Sequence, residues 1–317
     1  MNYDCWLLGA GNMAKEYVKV LQELQVKTLV IGRSKKSVDD LLAEFTLDAV
    51  YGGLVSHKNL LEYPLPEFAI IAVSNEQLTD VALQLIGLGI KNILVEKPAG
   101  LHFDSVLLLQ EEAKRTGIRL YVAYNRRFYT SVNYLKERIA VEGGIASVSF
   151  EFTEWVHTFD TNLYPPEVLS RLLIVNSSHV LDTVFHLAGK PRELHAHVGG
   201  NAVVWHPAGS VFTGSGLTEK NIPFSYASNW GAPGRWAIEI TTRQKRYYLK
   251  PLERLAVQEK GSVQVNEMEL DYSKDIAFKP GLLELTKAFF RNDASILCTI
   301  DEHVVNFEFY EKIGNYR

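Results

Sequence analysis

The sequence has few cysteines and no marked excess of charge of either sign. Its two cysteines, Cys5 and Cys298, cannot build a disulfide framework and lack the spacing of a zinc site, so we expect inert packing residues and no metal. Its 33 basic residues are scattered among 37 acidic ones, unlike the clustered basic surface of a nucleic-acid-binding protein. The composition favours a small-molecule partner.

Long apolar runs are also lacking in this chain of 317 residues. No stretch is long enough to span a membrane, and the first residues do not form the basic segment and apolar core of a signal peptide. We therefore expect a cytoplasmic protein without membrane contact. The length and the 47% hydrophobic content are typical of two globular domains.

The first part of the chain alternates short apolar runs with amphipathic segments, separated by Gly, Pro and Ser. This β-α-β-α order is typical of an α/β doubly wound parallel sheet with right-handed crossovers, so we predict a Rossmann domain over residues 1–124. After Asn125 long alternating runs predominate, interrupted by helical segments at 168–189 and 282–290. They predict an α+β domain over residues 125–317 with a mostly antiparallel sheet.

A glycine motif, GAGNMA, lies between the first predicted strand and the first predicted helix. Gly9 would permit a tight turn, Gly11 would let the backbone approach a pyrophosphate, and Ala14 would allow close packing of helix on strand. The phosphates would lie at the helix N-terminus, beside Asn12 and Met13 of the same turn. The motif therefore predicts a dinucleotide-binding site.

The segment after the second predicted strand, LVIGRSKKS, indicates which dinucleotide is bound. A site that prefers NAD would carry an acid here for the ribose 2′-hydroxyl, whereas this chain has Arg33 and Ser34. A guanidinium and a hydroxyl suit a 2′-phosphate, so we predict NADP, with NAD possible. Lys35 and Lys36 could contribute or could be solvated charges at the start of a helix.

The stretch ILVEKPAG ends an apolar run with an acid, a lysine and a proline. Ligands of a doubly wound sheet bind beyond the carboxyl ends of its strands, so we expect Glu96 and Lys97 beside the cofactor. Pro98 restricts the residue before it to extended geometry, which would fix the direction of Lys97 as a donor to a substrate oxygen. A surface turn in which Lys97 pairs with Glu96 explains the tripeptide equally well.

Three motifs together resemble the Gfo/Idh/MocA family, the relatives of glucose–fructose oxidoreductase and inositol dehydrogenase. They are GAGNMA near the start, EKP at 96–98, and YVAYNRRF at 121–128 followed by the change to antiparallel strands. The resemblance covers essentially the whole chain. It implies a Rossmann domain followed by an α+β domain with a large open sheet. It also implies that Lys97 touches the substrate hydroxyl that gives up its hydride.

The family usually has an acid and a histidine four residues apart on a helix of the second domain. The best match is VNSSHVLD, in which His179 takes the place of the histidine and Asp182 that of a later acid. Val175 stands where the family has the first acid, with Asn176 as a polar neighbour that could contact substrate. His179 and Asp182 could titrate as a catalytic pair. In another register Asp182 would pair with His186.

Further candidates lie in segments that relatives place near the nicotinamide or the substrate. Ser74 and Asn75 belong to VSNEQL, where relatives commonly have T-P-N-x-x-H and this chain has Leu78 in place of the histidine. Arg126 and Arg127 could clamp a carboxylate or phosphate, or form ion pairs. The stretch SNWGAPGRW and the loop EWVHTFDTNLYPPEVLSR could line the substrate. The aromatic candidates are Tyr124, Trp155 and Tyr164.

Together these features predict an NAD(P)-dependent dehydrogenase or reductase in which Lys97 and His179 handle the proton. The resemblance points to a sugar, a sugar nucleotide or a cyclic polyol as substrate. The alternatives are a reductase of C=C or C=N bonds, as in biliverdin-reductase-like relatives, and a non-catalytic dinucleotide sensor. An open, half-apolar sheet face predicts a homodimer or homotetramer.

Overall fold

The computed structural model describes residues 2–54 and 64–316. The chain forms two compact units, which we call the first unit, residues 1–124 with 277–304, and the second unit, residues 125–276 with 305–317. The N-terminal parallel sheet and the mostly antiparallel second sheet confirm the fold class expected from the sequence.

A seven-stranded sheet forms the centre of the first unit. Its strands are β1 (Cys5–Leu8), β2 (Thr28–Gly32), β3 (Asp48–Tyr51), β4 (Phe68–Ile71), β5 (Asn92–Glu96), β6 (Arg119–Ala123) and β15 (Cys298–Thr299). They lie in the order β15-β6-β5-β4-β1-β2-β3, and every pair is parallel except β15 with β6. All four residues of β1 are buried, which explains its uninterrupted apolar sequence, since a central parallel strand is covered on both faces.

Helices alternate with the strands of residues 1–124, as the sequence pattern predicts, and further helices come from the later segment 277–304. They are α1 (Asn12–Glu23), α2 (Lys35–Leu42), α3 (Leu78–Leu88), α4 (Phe103–Thr116) and α9 (Leu282–Phe290), and α10 (Ile300–Gly314) begins here. Gly89 and Gly117 end α3 and α4 with a positive φ, the usual conformation of a C-terminal glycine.

Residues 277–304 differ from the sequence prediction, which placed them in the second domain. They lie in the first unit because β15 pairs with β6, with Cys298 opposite Val122, and because Phe289 of α9 packs edge-on against Phe68. Both contacts join residues that are far apart in the chain, so no local sequence pattern could predict them.

The second unit contains an eight-stranded sheet. Its strands are β7 (Ser147–Glu151), β8 (Pro191–Gly199), β9 (Val211–Thr218), β10 (Pro223–Asn229), β11 (Ala237–Thr241), β12 (Lys245–Leu249), β13 (Ala256–Glu259) and β14 (Val265–Glu267). They lie in the order β14-β13-β12-β11-β7-β10-β9-β8, and all pairs except β7 with β10 are antiparallel. Buried and exposed residues alternate along β10, as expected where one face is covered.

Two helices of the second unit pack on this sheet: α7 (Ser178–Ala188) on β7 and β11, and α5 (Thr130–Val141) on β12. The shorter helices are α6 (Pro166–Ser170), which lies between α5 and α7 in the chain, and α8 (Ser273–Ala277), which follows β14. The single helix predicted over 168–189 is interrupted: a π-helical turn, Leu173–Ser177, precedes α7. Such turns occur often at functional sites. In the described part of the chain, every helix is too short or too polar to cross a bilayer.

Candidate cofactor and substrate sites

A cavity of about 350 Å³ lies beyond the carboxyl ends of β1, β2 and β4 in the first unit. It brings together seven of the predicted cofactor residues: Gly9, Gly11, Asn12, Met13, Arg33, Ser34 and Ser74. The sequence reasoning missed five other lining residues, Ala10, Ser37, Ala72, Val73 and Gln77, which lie within three residues of a predicted one. Asn75, Glu96 and Lys97 lie outside this lining.

The two glycines of the motif have different structural roles. Gly9 has a φ of 115°, and a Cβ there would lie 2.2 Å from the backbone oxygen of Ala72, so the turn itself requires glycine. A Cβ on Gly11 would meet no atom within 4 Å, and this residue starts α1 without a side-chain cap. The space at Gly11 and the first N–H groups of α1 fit a pyrophosphate. Ala14 is fully buried, as close packing requires.

The start of α2 supplies the polar corner of this cavity. Ser34 caps the helix by accepting from the backbone N–H of Ser37 at 3.2 Å, and the two hydroxyl oxygens lie 2.8 Å apart. With Arg33 the corner offers one guanidinium and two hydroxyls. Lys35 and Lys36 form ion pairs with the aspartates four residues later, on an exposed surface. Those pairs match the interpretation of both lysines as solvated helix charges.

A second cavity of about 260 Å³ shares Arg33, Val73 and Gln77 with the first. Its walls include the apolar side chains of Leu8 and Ile31. An apolar slot beside a guanidinium suits a flat aromatic base that carries an anionic group. The two cavities together fit an adenine dinucleotide.

The turn after β5 holds Lys97. Glu96 accepts a hydrogen bond from the Tyr17 hydroxyl of α1 at 2.9 Å, and burial raises the pKa of Glu96 although the charge of Lys97 opposes that shift. His303 Nε2 donates to the carbonyl of Pro98 at 2.9 Å, and the Thr79 hydroxyl donates to that of Ala99 at 3.0 Å. The backbone on the C-terminal side of Lys97 is therefore held by two side chains from distant segments.

Tyr124 differs from its predicted role as a substrate contact. It is 1% exposed, and its ring lies 5.6 Å from that of His303 in the first unit. Since His303 bonds to Pro98, the tyrosine packs behind the turn that carries Lys97. We therefore correct its assignment to a supporting residue.

Arg127 and Asp182 form a buried ion pair in the second unit. Arg127 Nε donates to Asp182 Oδ2 at 2.8 Å and Nη2 donates to Oδ1 at 2.6 Å, with the side chains 2% and 0% exposed. This bidentate geometry matches the ion-pair alternative for Arg127, because both of the guanidinium contacts go to one carboxylate. The pairing of Asp182 with His179 stays a prediction.

The two histidines of this region have different surroundings. His179 is 5% exposed, and its ring centroid lies 5.9 Å from that of Trp236. His186 accepts from Lys136 Nζ at 3.4 Å, and burial, aided by Arg127, Lys136 and Lys220, lowers the pKa of His186 to about 3. His186 thus contacts a lysine, and its alternative pairing with Asp182 stays a prediction.

The sequence reasoning missed Glu154, which opens the loop proposed to line the substrate. Its carboxylate is buried and accepts from the Ser177 hydroxyl at 2.6 Å, from Asn176 Nδ2 at 2.9 Å and from Trp236 Nε1 at 3.2 Å. Arg235 Nη1 lies 3.6 Å away. Burial raises the pKa of Glu154, and these four groups oppose that shift. Asn176 is thus held by a carboxylate.

The ring of Trp236 contacts two arginine side chains, those of Arg126 and Arg235. The guanidinium carbon of Arg126 is 4.7 Å from the indole centroid, and that of Arg235 is 4.8 Å away. Arg235 is also 4.5 Å from the ring of Trp155, which is 47% exposed and donates to the backbone oxygen of Gly234. Both missed residues, Arg235 and Trp236, belong to the stretch SNWGAPGRW.

Tyr164 is the last of the aromatic candidates. Tyr164 is 46% exposed and lies 6.5 Å from the ring of Phe159, so it is a surface residue of the loop after β7. Over residues 2–54 and 64–316, no three His, Cys, Asp or Glu side chains are grouped as a metal would need.

The part of the chain that matches a protein-family model lies in the first unit. The family described as "Oxidoreductase family, NAD-binding Rossmann fold" matches residues 4–124. Trans-1,2-dihydrobenzene-1,2-diol dehydrogenase of Mus musculus is 27% identical in an alignment of 222 positions that covers 60% of this chain and 65% of the mouse protein. The match thus spans less than two thirds of that relative's length.

Solved structures resemble both units. UDP-N-acetylglucosamine 3-dehydrogenase GnnA from Acidithiobacillus ferrooxidans has 16% identity and a TM-score of 0.75, covering 99% of this chain and 97% of that one. A super-repressor mutant of Gal80p from Saccharomyces cerevisiae has 14% identity and a TM-score of 0.77, covering 99% and 95%. At these identities the likeness is one of fold.

Proposed function

Because this chain belongs to the Gfo/Idh/MocA oxidoreductase family, whose NAD-binding domain matches residues 4–124, we propose that it is an NAD(P)-dependent dehydrogenase or reductase. It transfers a hydride between a nicotinamide and a carbinol or carbonyl carbon of a sugar, sugar nucleotide or cyclic polyol. The observation that carries the proposal is the glycine-lined cavity of the first unit. The fold shared with GnnA supports a sugar nucleotide.

NADP is the proposed cofactor, with NAD possible. Arg33, Ser34 and Ser37 would hold the 2′-phosphate, and the backbone at Gly11 would hold the pyrophosphate. The nicotinamide supplies the hydride chemistry, and the protein positions and shields it.

The proposed proton-handling residues are Lys97 and His179. Lys97 donates a hydrogen bond to the substrate oxygen at the reacting carbon, and His179 accepts the hydroxyl proton in the direction of oxidation. The turn held by His303 and Thr79 supports the first role, because a fixed backbone limits where Lys97 points. Asp182, which Arg127 holds, stays the predicted catalytic partner of His179.

The first experiment is calorimetric titration of NADPH and NADH into the wild type, Arg33→Ala and the control Lys36→Ala. Loss of Arg33 should weaken NADPH binding by about 1–3 kcal/mol, as expected for a charge-assisted contact, and should leave NADH binding nearly unchanged. The control should behave as wild type, because Lys36 lies outside the cavity lining and pairs on the surface of α2.

Two results would contradict parts of this proposal. If neither dinucleotide binds the wild type, the oxidoreductase assignment fails. If Arg33→Ala weakens NADH and NADPH equally, the 2′-phosphate contact fails while the dinucleotide site stands. Lys97→Met should retain NADPH binding and lose turnover, since the lysine acts on the substrate oxygen.

A reductase of C=C or C=N bonds is the second candidate. It is favoured by Val175, which stands where the family has an acid, and by the engagement of Asp182 with Arg127. Such a reductase needs a proton donor less strictly, so NADPH oxidation with imine or enone compounds that survives His179→Ala would favour it. A non-catalytic sensor, for which the Gal80p fold gives weak support, would bind dinucleotide without turnover of any compound tested.

Self-association is a further part of the proposal. The sheet face opposite α5 and α7 would pair two or four copies, giving a homodimer or homotetramer. Light scattering measures the mass directly, and a monomer would reject this part alone. The cytoplasmic location stays a prediction from the sequence.

A further inference from the structure

We infer that Arg126 and Arg235, held on the ring of Trp236, form a binding subsite for an anionic group of the substrate, a carboxylate or a phosphate. The inference rests on the proposed function, because it specifies the class of substrate. It replaces the sequence-based expectation in which Arg126 and Arg127 would be the clamp.

The arginines lie on a ring that is itself fixed. Trp236 is 7% exposed, and its indole N–H donates to the buried carboxylate of Glu154, which the Ser177 hydroxyl and the Asn176 amide also hold. Both guanidinium carbons lie within 5 Å of the indole centroid. Stacking engages the flat face of a guanidinium, whereas hydrogen bonds use its edge, so an arginine on a ring can still bind an anion.

The charges of the cluster favour an anion. The two guanidinium groups bring positive charge to a cluster in which the Trp236 ring and the Glu154 carboxylate are buried, and charges beside buried groups are poorly screened. Glu154 offsets only part of it: its nitrogen–oxygen distance to Arg235 is 3.6 Å, longer than a hydrogen bond, and its oxygens accept from Ser177, Asn176 and Trp236.

The subsite is open to ligand and adjoins the candidate proton acceptor. The side chain of Arg235 is 40% exposed, and Trp155, on which it also stacks, is 47% exposed. The ring of His179 lies 5.9 Å from that of Trp236. An anionic group on the arginines would therefore orient the rest of a small substrate near His179.

The test compares two anions with a neutral sugar. D-glucuronate carries a carboxylate, D-glucose 6-phosphate carries a phosphate, and D-glucose carries neither. Binding is followed by the fluorescence of Trp236 and Trp155 in the wild type, Arg126→Gln, Arg235→Gln and Arg254→Gln. Arg254 is the matched control, because it also stacks on an aromatic ring, but on that of Tyr272, at 4.4 Å, and not on Trp236.

At least one anion should bind the wild type about tenfold more tightly than glucose, and each of Arg126→Gln and Arg235→Gln should remove most of that preference. Arg254→Gln should keep it. Which anion is preferred distinguishes a carboxylate from a phosphate. The inference is overturned if neither anion gives a saturable response at tens of millimolar, or if both arginine variants keep the preference.

Further measurements separate a loss of anion binding from misfolding and from binding of the anion at the cofactor site. If a glutamine variant misfolds by circular dichroism, Arg126→Lys and Arg235→Lys keep the charge but lose the fork, so anion affinity should still fall. Wild-type preference must also decrease with added salt. NADPH titration separates the two proposals: anion preference without NADPH binding rejects the oxidoreductase alone, and NADPH binding without anion preference rejects the subsite alone.

Discussion

The candidate site of the first unit is built mainly from backbone, whereas that of the second unit is built from side chains. Gly9, Gly11 and the first turn of α1 line the candidate dinucleotide site, the proposed dinucleotide cradle, within six consecutive residues. In the second unit, Glu154, Ser177 and Trp236 come from three separate segments and meet at one buried carboxylate. A backbone site needs a local conformation, while a side-chain site needs a complete fold.

This difference has energetic consequences. A glycine turn loses its ability to bind a ligand when a Cβ blocks it, and the accompanying loss of stability is set by local backbone strain. Replacing both members of a buried ion pair such as Arg127–Asp182 changes the free energy of folding little. Removing one member is strongly destabilising, because the remaining buried charge loses its partner in the pair. Mutations should therefore affect stability most in the second unit and cofactor binding most in the first.

The largest expected effect follows from breaking the buried ion pair. Asp182→Ala should lower the free energy of unfolding by about 3–5 kcal/mol, because it removes the carboxylate that accepts two hydrogen bonds from the buried guanidinium of Arg127. Urea denaturation followed by tryptophan fluorescence reports it well, since four of the five tryptophans, Trp155, Trp205, Trp230 and Trp236, lie in the second unit.

The matched control removes both charges. Arg127→Met combined with Asp182→Leu should recover most of the lost stability, since it replaces the pair by apolar groups. If Asp182→Ala were as stable as wild type and instead abolished turnover, the ion pair would contribute little to stability. The predicted catalytic role of Asp182 would then be supported.

A smaller effect is expected from a cradle glycine. Gly9→Ala should cost about 1–3 kcal/mol of stability and abolish NADPH binding, because its φ is 115° and the new Cβ would collide with the backbone of Ala72. Gly11→Ala should change stability by less than about 0.5 kcal/mol yet weaken NADPH binding, since its Cβ meets open space where the pyrophosphate fits.

Thermal unfolding and calorimetric titration of these two variants together test the backbone side of the comparison. Equal stability losses in both would mean that the motif is structural. Unchanged NADPH affinity in Gly11→Ala would place the pyrophosphate elsewhere.

The smallest effect is a pH dependence in the second unit. His186 has a pKa of about 3 in the folded protein against 6.5 as its ordinary value, so between these limits the unfolded chain binds more protons than the native state. Stability should therefore fall as the pH is lowered below 6.5, by at most about 1.4 kcal/mol per unit from this residue.

His186→Gln supplies the control for that slope. Urea denaturation at pH 7, 6 and 5 should show a shallower loss of stability in the variant, because glutamine does not titrate in this range. Identical slopes in variant and wild type would show that His186 takes up its proton in the folded state without cost.

The sequence allowed much of the first unit to be predicted. The β-α order, the glycine motif and Arg33 with Ser34 all act through neighbours within a few residues, so local patterns carry the information. The assignment of residues 277–304 could not be obtained in this way, because the pairing of β15 with β6 joins residues more than 170 positions apart.

For the second unit, helical spacing placed Asp182 near both His179 and His186 but could not say which other element packs there. Arg127 lies 55 residues earlier and contacts both carboxylate oxygens, a partner that helical spacing could not reveal. Glu154 gave only a weak signal, as the acid that opens an aromatic loop.

The sequence by itself therefore determined the class of fold and the family resemblance, and it predicted the position of the dinucleotide cradle, since each depends on local periodicity or backbone conformation. Only the tertiary structure decided which charges pair and which arginines lie on Trp236. The physical reason is that a buried charge is stabilised by whichever partner the fold brings within hydrogen-bonding distance, and separation along the chain does not limit that choice.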